Sequence, residues 1–349
     1  MSIRTAIRDP GFRGLPPDGR PLIAVTMGDA GGIGPEVTLK ALARASVKKA
    51  CRPVVIGDLD YLRRLARDLR IKVSLRRANV FGSGSGGAIR VLDVARLAGK
   101  PAFGEPSARG GRAAGKAIEQ AVKLALAGRA AGIVTAPVSK ESFEHAGYGM
   151  VGHTEILARL TGTRYYAMML MNGSLRVIFA STHVPHAKAA AKITRGGLLR
   201  KMRIAGEYLG LYMGIPDARI GVACLNPHCG ESGRLGREER DTIAPAVRAA
   251  QQEGICVEGP IAADSIYRPT IADGFDAILA MYHDQGMIPL KLRGHGDVVN
   301  VTLGIPVVRT SPGHGTAFDI AGTGKASARS MAGAVLECAR IVKRLDNAG

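Results

Sequence analysis

Short apolar runs alternate with amphipathic stretches along most of this chain, and that alternation restricts the fold to the α/β class. Pro21–Met27 (PLIAVTM) reads as a buried strand. Pro35–Ala45 reads as a helix with Pro35 in its first turn, where a missing N–H costs nothing. Pro53–Ile56 is a further strand and Asp60–Leu69 a helix. Phe81–Ala88 (FGSGSGGA) is a Gly/Ser turn or linker. Gly115–Leu126 has helical periodicity. Gly132–Thr135 is a short strand, and Ser139 is suited to cap the helix after it. Tyr166–Met171 and Leu175–Ala180 form two strands joined at Asn172-Gly173, a favoured hairpin turn. Thr194–Leu209 and Arg237–Gln252 are helices, Ile220–Leu225, Ala277–Met281 and Pro306–Arg309 strands, and Ser327–Leu345 a closing helix. The hairpin argues for a mixed sheet or two domains, and 349 residues suffice for either. No period of solenoid length occurs.

The net charge of +19 admits nucleic acid, an anionic substrate or a solvated basic surface. Aromatic residues make up only 4% and Trp is absent, which leaves few platforms for stacking bases. No apolar stretch reaches the roughly 18–20 residues of a membrane span, and Met1–Arg20 has no apolar signal core. That segment reads as a flexible extension, and the expected location is cytoplasmic. Cys51, Cys224, Cys229, Cys256 and Cys338 are odd in number and lack C-x-x-C spacing, so they read as free thiols. Cys229 lies beside His228 and is also a candidate ligand.

Three runs share one form, an apolar strand followed by a His in a polar turn. They are Val177–His183 (VIFASTH), Val222–His228 (VACLNPH) and Ala277–His283 (AILAMYH). Ligands of α/β folds gather at the carboxyl ends of strands. Three neutral imidazoles there make a divalent-metal site with open positions. A single such His is more often a hydrogen-bonded turn residue; three in equivalent settings favour the metal. The separations of 45 and 55 residues match no local metal signature. His153, in Gly152-His153-Thr154-Glu155, and His314, in Gly313-His314-Gly315-Thr316, lie in small-residue contexts suited to ligand contact. His145 and His186 lack such support and read as surface residues. Gly28–Glu36 (GDAGGIGPE) follows the first strand and opens a helix, a junction that favours anions. It departs from G-x-G-x-x-G, and Asp58 fits the usual acidic position only loosely. A packed strand–helix turn is the better reading.

These motifs together resemble the 4-hydroxythreonine-4-phosphate dehydrogenase family of vitamin B6 (pyridoxine) biosynthesis and its catabolic relatives. The likeness runs from Pro21 to about Arg340. It is carried by Gly28–Glu36, GHTE (Gly152–Glu155), STH (Ser181–His183), Leu225–Glu239 (LNPHCGESGRLGREE), Ala280–Lys291 (AMYHDQGMIPLK) and Val299–Ala326.

The resemblance implies a two-domain fold similar to isocitrate and isopropylmalate dehydrogenases, with a central cleft and NAD binding of a non-Rossmann kind. On it, residues 1–20 form the extension, 21–132 with 308–349 a cofactor-side domain, and 133–307 a metal-binding and dimerisation domain. It implies a homodimer whose metal site is shared across the interface. The metal (Zn, Mg, Mn or Co) would be held by His183, His228 and His283, with His283 given to the neighbour's site. Substrate contacts carry over to His153, Thr154, Lys291, Asn300 and Arg309. Asp264 matches an acidic residue near the metal, and Asp264 or Lys291 would move the proton. Thr310–Gly322 resembles the loop that holds the adenosine end of NAD, which assigns Thr310, His314, Gly315, Thr316 and Asp319 to the cofactor. The implied reaction is metal-assisted oxidation of a 4-phosphorylated hydroxy acid, followed by decarboxylation of the β-keto acid.

The chain departs from the biosynthetic pattern at Thr26-Met27-Gly28-Asp29, where T-P-G-[DE] is usual. Met287–Lys291 and Ala317–Ile320 also look closer to the catabolic branch, which oxidises D-threonate and D-erythronate 4-phosphates. A dehydrogenase of an unphosphorylated cis-dihydrodiol carboxylate is one alternative. A non-catalytic, basic nucleic-acid-binding protein on the same fold is another. Intact metal and substrate positions argue against it, so neither nucleic acid nor membrane is expected as a partner.

Overall fold

The computed structural model describes residues 15–78, 87–97, 102–293 and 297–348. Most of the N-terminal extension and of the Gly/Ser segment Phe81–Ala88 therefore lies outside the described residues. The strands in chain order are β1 (Leu22–Thr26), β2 (Arg52–Gly57), β3 (Leu75–Arg77), β4 (Ile89–Asp93), β5 (Gly132–Thr135), β6 (Ala167–Asn172), β7 (Leu175–Phe179), β8 (Ile220–Ala223), β9 (Val257–Ile261), β10 (Ala277–Ala280), β11 (Val299–Leu303) and β12 (Arg309–Pro312).

Two compact units result, residues 1–164 with 305–349, and residues 165–304. Residues 133–164, expected in the metal-binding domain, sit in the first unit. The reason is strand pairing: β5 hydrogen-bonds to both β1 and β12.

The first unit holds strands in the order β3-β4-β2-β1-β5-β12, every pair parallel. Parallel strands covered on both faces are continuous apolar runs, and all five residues of β1 are buried. Helix Gly34–Ala43 begins with its Pro in the first turn, as expected. Asp58, a loose fit to the acidic position of the dinucleotide pattern, caps the helix Leu59–Asp68 by accepting from Tyr61 N at 2.9 Å. Helix Ala108–Leu126 starts seven residues earlier than its apolar periodicity suggests, capped by Ser107. Gly111 hides that first turn from a propensity reading. A side chain there would collide with the Ser142 backbone, so the glycine lets two helices approach closely.

In the second unit the order is β11-β6-β7-β10-β8-β9. β11–β6 and β6–β7 are antiparallel, and β7, β10, β8 and β9 run parallel. The β6–β7 hairpin forms, but Asn172 pairs with Leu175, so the two turn residues are Gly173 and Ser174. Gly173 has φ 59°, which glycine adopts without steric cost.

The expected strand Pro306–Arg309 is displaced to β12, Arg309–Pro312. Val307 and Val308 are buried but precede the paired residues, Val308 contributing only its carbonyl, which accepts from Ile133 N at 2.8 Å, because hydropathy marks burial and not pairing. The free-thiol reading is corrected for one pair. The chain turns through left-handed backbone at His228, Cys229, Gly230, Glu231 and Ser232, and Cys224 and Cys229 form a disulfide with Cα atoms 5.3 Å apart. Cys51, Cys256 and Cys338 are free. Among the described residues, no helix is long and apolar enough to cross a membrane.

Candidate functional site

Because β7, β10, β8 and β9 are parallel neighbours, their carboxyl ends share one edge of the second unit. His183, His283, His228 and Asp264 follow those four ends in turn. Chain order scatters them; strand order collects them. The His183 and His283 rings lie 6.2 Å apart, centre to centre. His283 opens the helix His283–Leu292, and its Nδ1 donates to Asp284 Oδ1 at 2.7 Å. That bond fixes the tautomer and leaves Nε2 as the free lone pair. The imidazole in turn holds the Asp284 carboxyl below the usual range. His228 stands exposed in its left-handed turn, and Asp264 is exposed in a four-residue helix. Among the described residues of one chain, no three His, Cys, Asp or Glu side chains come together. His186 is exposed, as expected, with its ring 5.0 Å from that of Tyr282.

Two residues given no role above brace this edge. Glu239 is buried and accepts from Leu225 N at 2.8 Å, Asn226 N at 2.7 Å and Asn226 Nδ2 at 2.9 Å. It thereby clamps the segment leading into His228. Gln285 accepts from Met281 N and donates to Cys224 O, each at 2.7 Å, tying the end of β10 to that of β8.

Lys291 is exposed in the last turn of the helix that His283 begins. Asn300 lies on β11, and its Oδ1 is buried with no hydrogen-bond partner among the described residues. A buried amide oxygen in that state costs free energy unless a ligand donates to it.

In the first unit, Arg309 is only 1% exposed. Its Nε and Nη2 donate to Thr135 Oγ1 at 3.1 and 2.5 Å, joining β12 to the carboxyl end of β5. Burial lowers its pKa to about 9 and outweighs the opposing charge of Glu155. His153 begins the helix His153–Leu160, with Thr154 next to it. Its Nε2 lies 3.1 Å from Ala136 O, a carbonyl that accepts, so this nitrogen carries the proton and Nδ1 is an acceptor.

The two glycine-rich loops of this unit meet. Ile33 N donates to Thr316 O at 2.9 Å, and a side chain at Gly32 would strike Thr316. Gly28–Glu36 is thus a packed turn that supports the other loop. His314 Nε2 is buried without a partner among the described residues, while Gly315 and Asp319 are exposed. Thr310 is fully buried, and its hydroxyl donates to Ala334 O at 2.7 Å. Its side chain is therefore occupied in the fold.

A family model described as pyridoxal phosphate biosynthetic protein PdxA matches residues 49–338. The chain belongs to the PdxA family. It is 43% identical over 327 residues to D-threonate 4-phosphate dehydrogenase of Cupriavidus necator, covering 93% of this chain and 98% of that protein. To 4-hydroxythreonine-4-phosphate dehydrogenase of Geobacter metallireducens it is 41% identical over 330 residues, with 94% and 97% covered. The crystal structure of 4-hydroxythreonine-4-phosphate dehydrogenase from Klebsiella pneumoniae has the same fold, with a TM-score of 0.83 at 40% identity. The match covers 92% of this chain and 99% of that one.

Membership makes this PdxA protein a dehydrogenase, an oxidoreductase acting on a CH–OH group. One of its departures loses its bearing on the substrate. Met27 is fully buried, and its Sδ accepts from Asp58 N at 3.4 Å, so it packs the core.

The polar groups at His153 make a titration prediction. Burial first, and then the Arg309 charge, lower its pKa from 6.5 to about 3 against the opposing Ala136 contact. Between those values the unfolded chain binds a proton that the native protein does not. The contribution to stability is therefore complete above pH 6.5 and is lost as pH falls toward 3. The His153 ring resonances in an NMR titration will stay flat from about pH 7.5 to 4.5. A midpoint near the free-histidine value would show a solvated ring that titrates freely.

Proposed function

We propose that this PdxA protein oxidises the secondary alcohol of a small 4-phosphorylated hydroxy acid, with NAD as hydride acceptor. The carrying observation is Arg309, buried and oriented by Thr135 beside a neutral His153. A guanidinium removed from water is stabilised by a bound anion, and its planar fork suits a phosphoryl or carboxylate group. His153 Nδ1 would accept from a substrate hydroxyl, with Thr154 beside it. By the family resemblance, Lys291 and Asn300, whose Oδ1 is unsatisfied among the described residues, would also contact substrate. Asp264 or Lys291 would move the proton. The β-keto acid so formed then loses CO2.

The donor set at the shared strand edge fits a divalent metal. It offers three imidazoles, one with its tautomer set by Asp284. His183, His228 and His283 would hold the ion, which when bound would stabilise negative charge on the substrate oxygen. One chain does not gather all three, which supports completion of the site by a second copy in a homodimer. Hybrids of inactive His183→Ala and His283→Ala subunits are then expected to regain activity, since one of two sites collects every wild-type ligand. Verified heterodimers without activity would place His183 and His283 in one site from the same chain, as their 6.2 Å ring separation allows, and would overturn the assignment of His283 to the partner's site.

The relatives named above share a 4-phosphate in their names. Met287–Lys291 and Ala317–Ile320 favour the catabolic substrates, D-threonate and D-erythronate 4-phosphates, over 4-phosphohydroxy-L-threonine. NADH formation measured side by side with D-threonate 4-phosphate, D-erythronate 4-phosphate and 4-phosphohydroxy-L-threonine tests it. One of the first two is expected to give the highest kcat/KM; no turnover of any would overturn the proposed substrate class.

NAD is expected to be preferred over NADP. Exposed Asp319 would accept from ribose hydroxyls and repel a 2′-phosphate, against the opposing charge of Lys325 nearby. A kcat/KM ratio favouring NADP would assign control of the pocket to Lys325 or another cation.

A further inference from the structure

We propose that the amino edge of the first unit's sheet carries a second anion site, one that takes the phosphoryl group of a small molecule. A cavity of about 150 Å³ there is lined by four cations, Arg20, Lys48, Arg52 and Arg90, over an apolar floor that includes Leu42 and Cys51.

Strand geometry brings the two central arginines together. Val54 pairs with Arg90 across β2 and β4. Alternate residues of a strand share a face, so Arg52, two before Val54, is a diagonal neighbour of Arg90. Their charges are felt: burial first, and Arg52 second, lower the Arg90 pKa. The backbone cross-braces the rest. Arg52 Nε donates to Arg20 O at 3.2 Å, and Arg20 Nη1 donates to Lys48 O at 3.2 Å. The carboxylate of Asp18 reaches this group, bound to Arg20 at 2.8 Å. The four cations therefore line one cavity, with the Asp18 carboxylate at its Arg20 edge. Holding like charges close is unfavourable, and a multivalent anion reverses the sign of that term.

Size and chemistry narrow the ligand. The cavity equals about five water volumes, enough for one phosphoryl group with part of its hydration. Guanidinium forks match phosphate oxygens in pairs. The cavity is also apart from the positions proposed for substrate. Arg52 and Arg90 lie at the amino ends of their strands, whereas Thr135 ends β5 at the opposite edge of the same parallel sheet. Strands of this length separate the two edges by roughly 15 Å.

The test is calorimetric titration of the full-length protein with inorganic phosphate at low ionic strength, with glycerol 3-phosphate as the ester probe. The wild type is expected to show a phosphate site that Arg52→Gln/Arg90→Gln weakens at least about tenfold. Dehydrogenase turnover should be unchanged in that variant. Lys116→Gln/Lys123→Gln removes two exposed charges elsewhere in the unit and should leave binding intact. If the arginine variant fails to fold, the rim variant Arg20→Gln/Lys48→Gln carries the same comparison. Glycerol 3-phosphate competing at this site identifies the ligand as an ester; phosphate binding without such competition identifies free phosphate. Titrations that superimpose for wild type and both pocket variants would overturn the proposal, as would equal weakening by the Lys116/Lys123 control.

Discussion

Replacing Arg309 with lysine is expected to lower kcat/KM for the phosphorylated substrate by at least about a hundredfold while the protein stays folded. Lysine retains a cation but not the planar fork that places two N–H groups on Thr135. Burial also pushes a lysine toward its neutral form, so the charge is weakened along with the geometry. The companion variant is Thr135→Val, which removes the acceptor that orients the guanidinium. It should raise KM more than it lowers kcat, and Thr135→Ser should restore the wild-type constants. Steady-state kinetics with circular-dichroism melting as the folding control measures both. A folded Arg309→Lys enzyme with near-wild-type kcat/KM would remove Arg309 from the substrate site.

His183→Ala, His228→Ala and His283→Ala should each reduce kcat by about a thousandfold or more, as should a chelator. Metal stabilisation of charge on the reacting oxygen contributes several kcal/mol to a barrier, and loss of one ligand forfeits much of it. The three side chains are exposed or half-exposed, so their truncation leaves no core cavity and the fold should survive. Wild-type turnover in any one variant would exclude that histidine. Bound metal measured in each variant separates loss of the ion from loss of its activity. Removal of Glu239 would act indirectly. Its carboxylate touches Leu225 and Asn226, so Glu239→Gln should weaken metal retention by loosening the turn that carries His228.

Much of this protein is readable along the chain. β1, β5, β8 and β10 appear as apolar runs because strands of a parallel sheet are buried on both faces. The three histidines appear because each follows such a run. Ser139 is a recognisable cap because capping is local, and it caps its helix, whereas Thr194, read as the first helical residue, proves to be the cap of Arg195–Tyr208. β12 was misplaced because its residues, Arg309, Thr310, Ser311 and Pro312, read as polar yet are all buried. No local pattern marks Glu239 or Gln285 as braces, since Glu239 binds Leu225 and Asn226, 14 and 13 residues back, and Gln285 ties Met281 to Cys224, 61 residues away.

By itself the sequence determined the class of fold, the type of most elements and the inventory of reactive side chains. Those depend on periodicity, caps and composition within a few residues. The tertiary structure alone decided which of these groups meet. Strand order β7-β10-β8-β9 put three histidines and Asp264 on one edge. The pairing of β5 with β12 set Arg309 against Thr135 across 174 residues, and a left-handed turn closed Cys224 on Cys229. Such contacts follow from how buried strands order themselves around a core, a property of the whole chain that no short window contains.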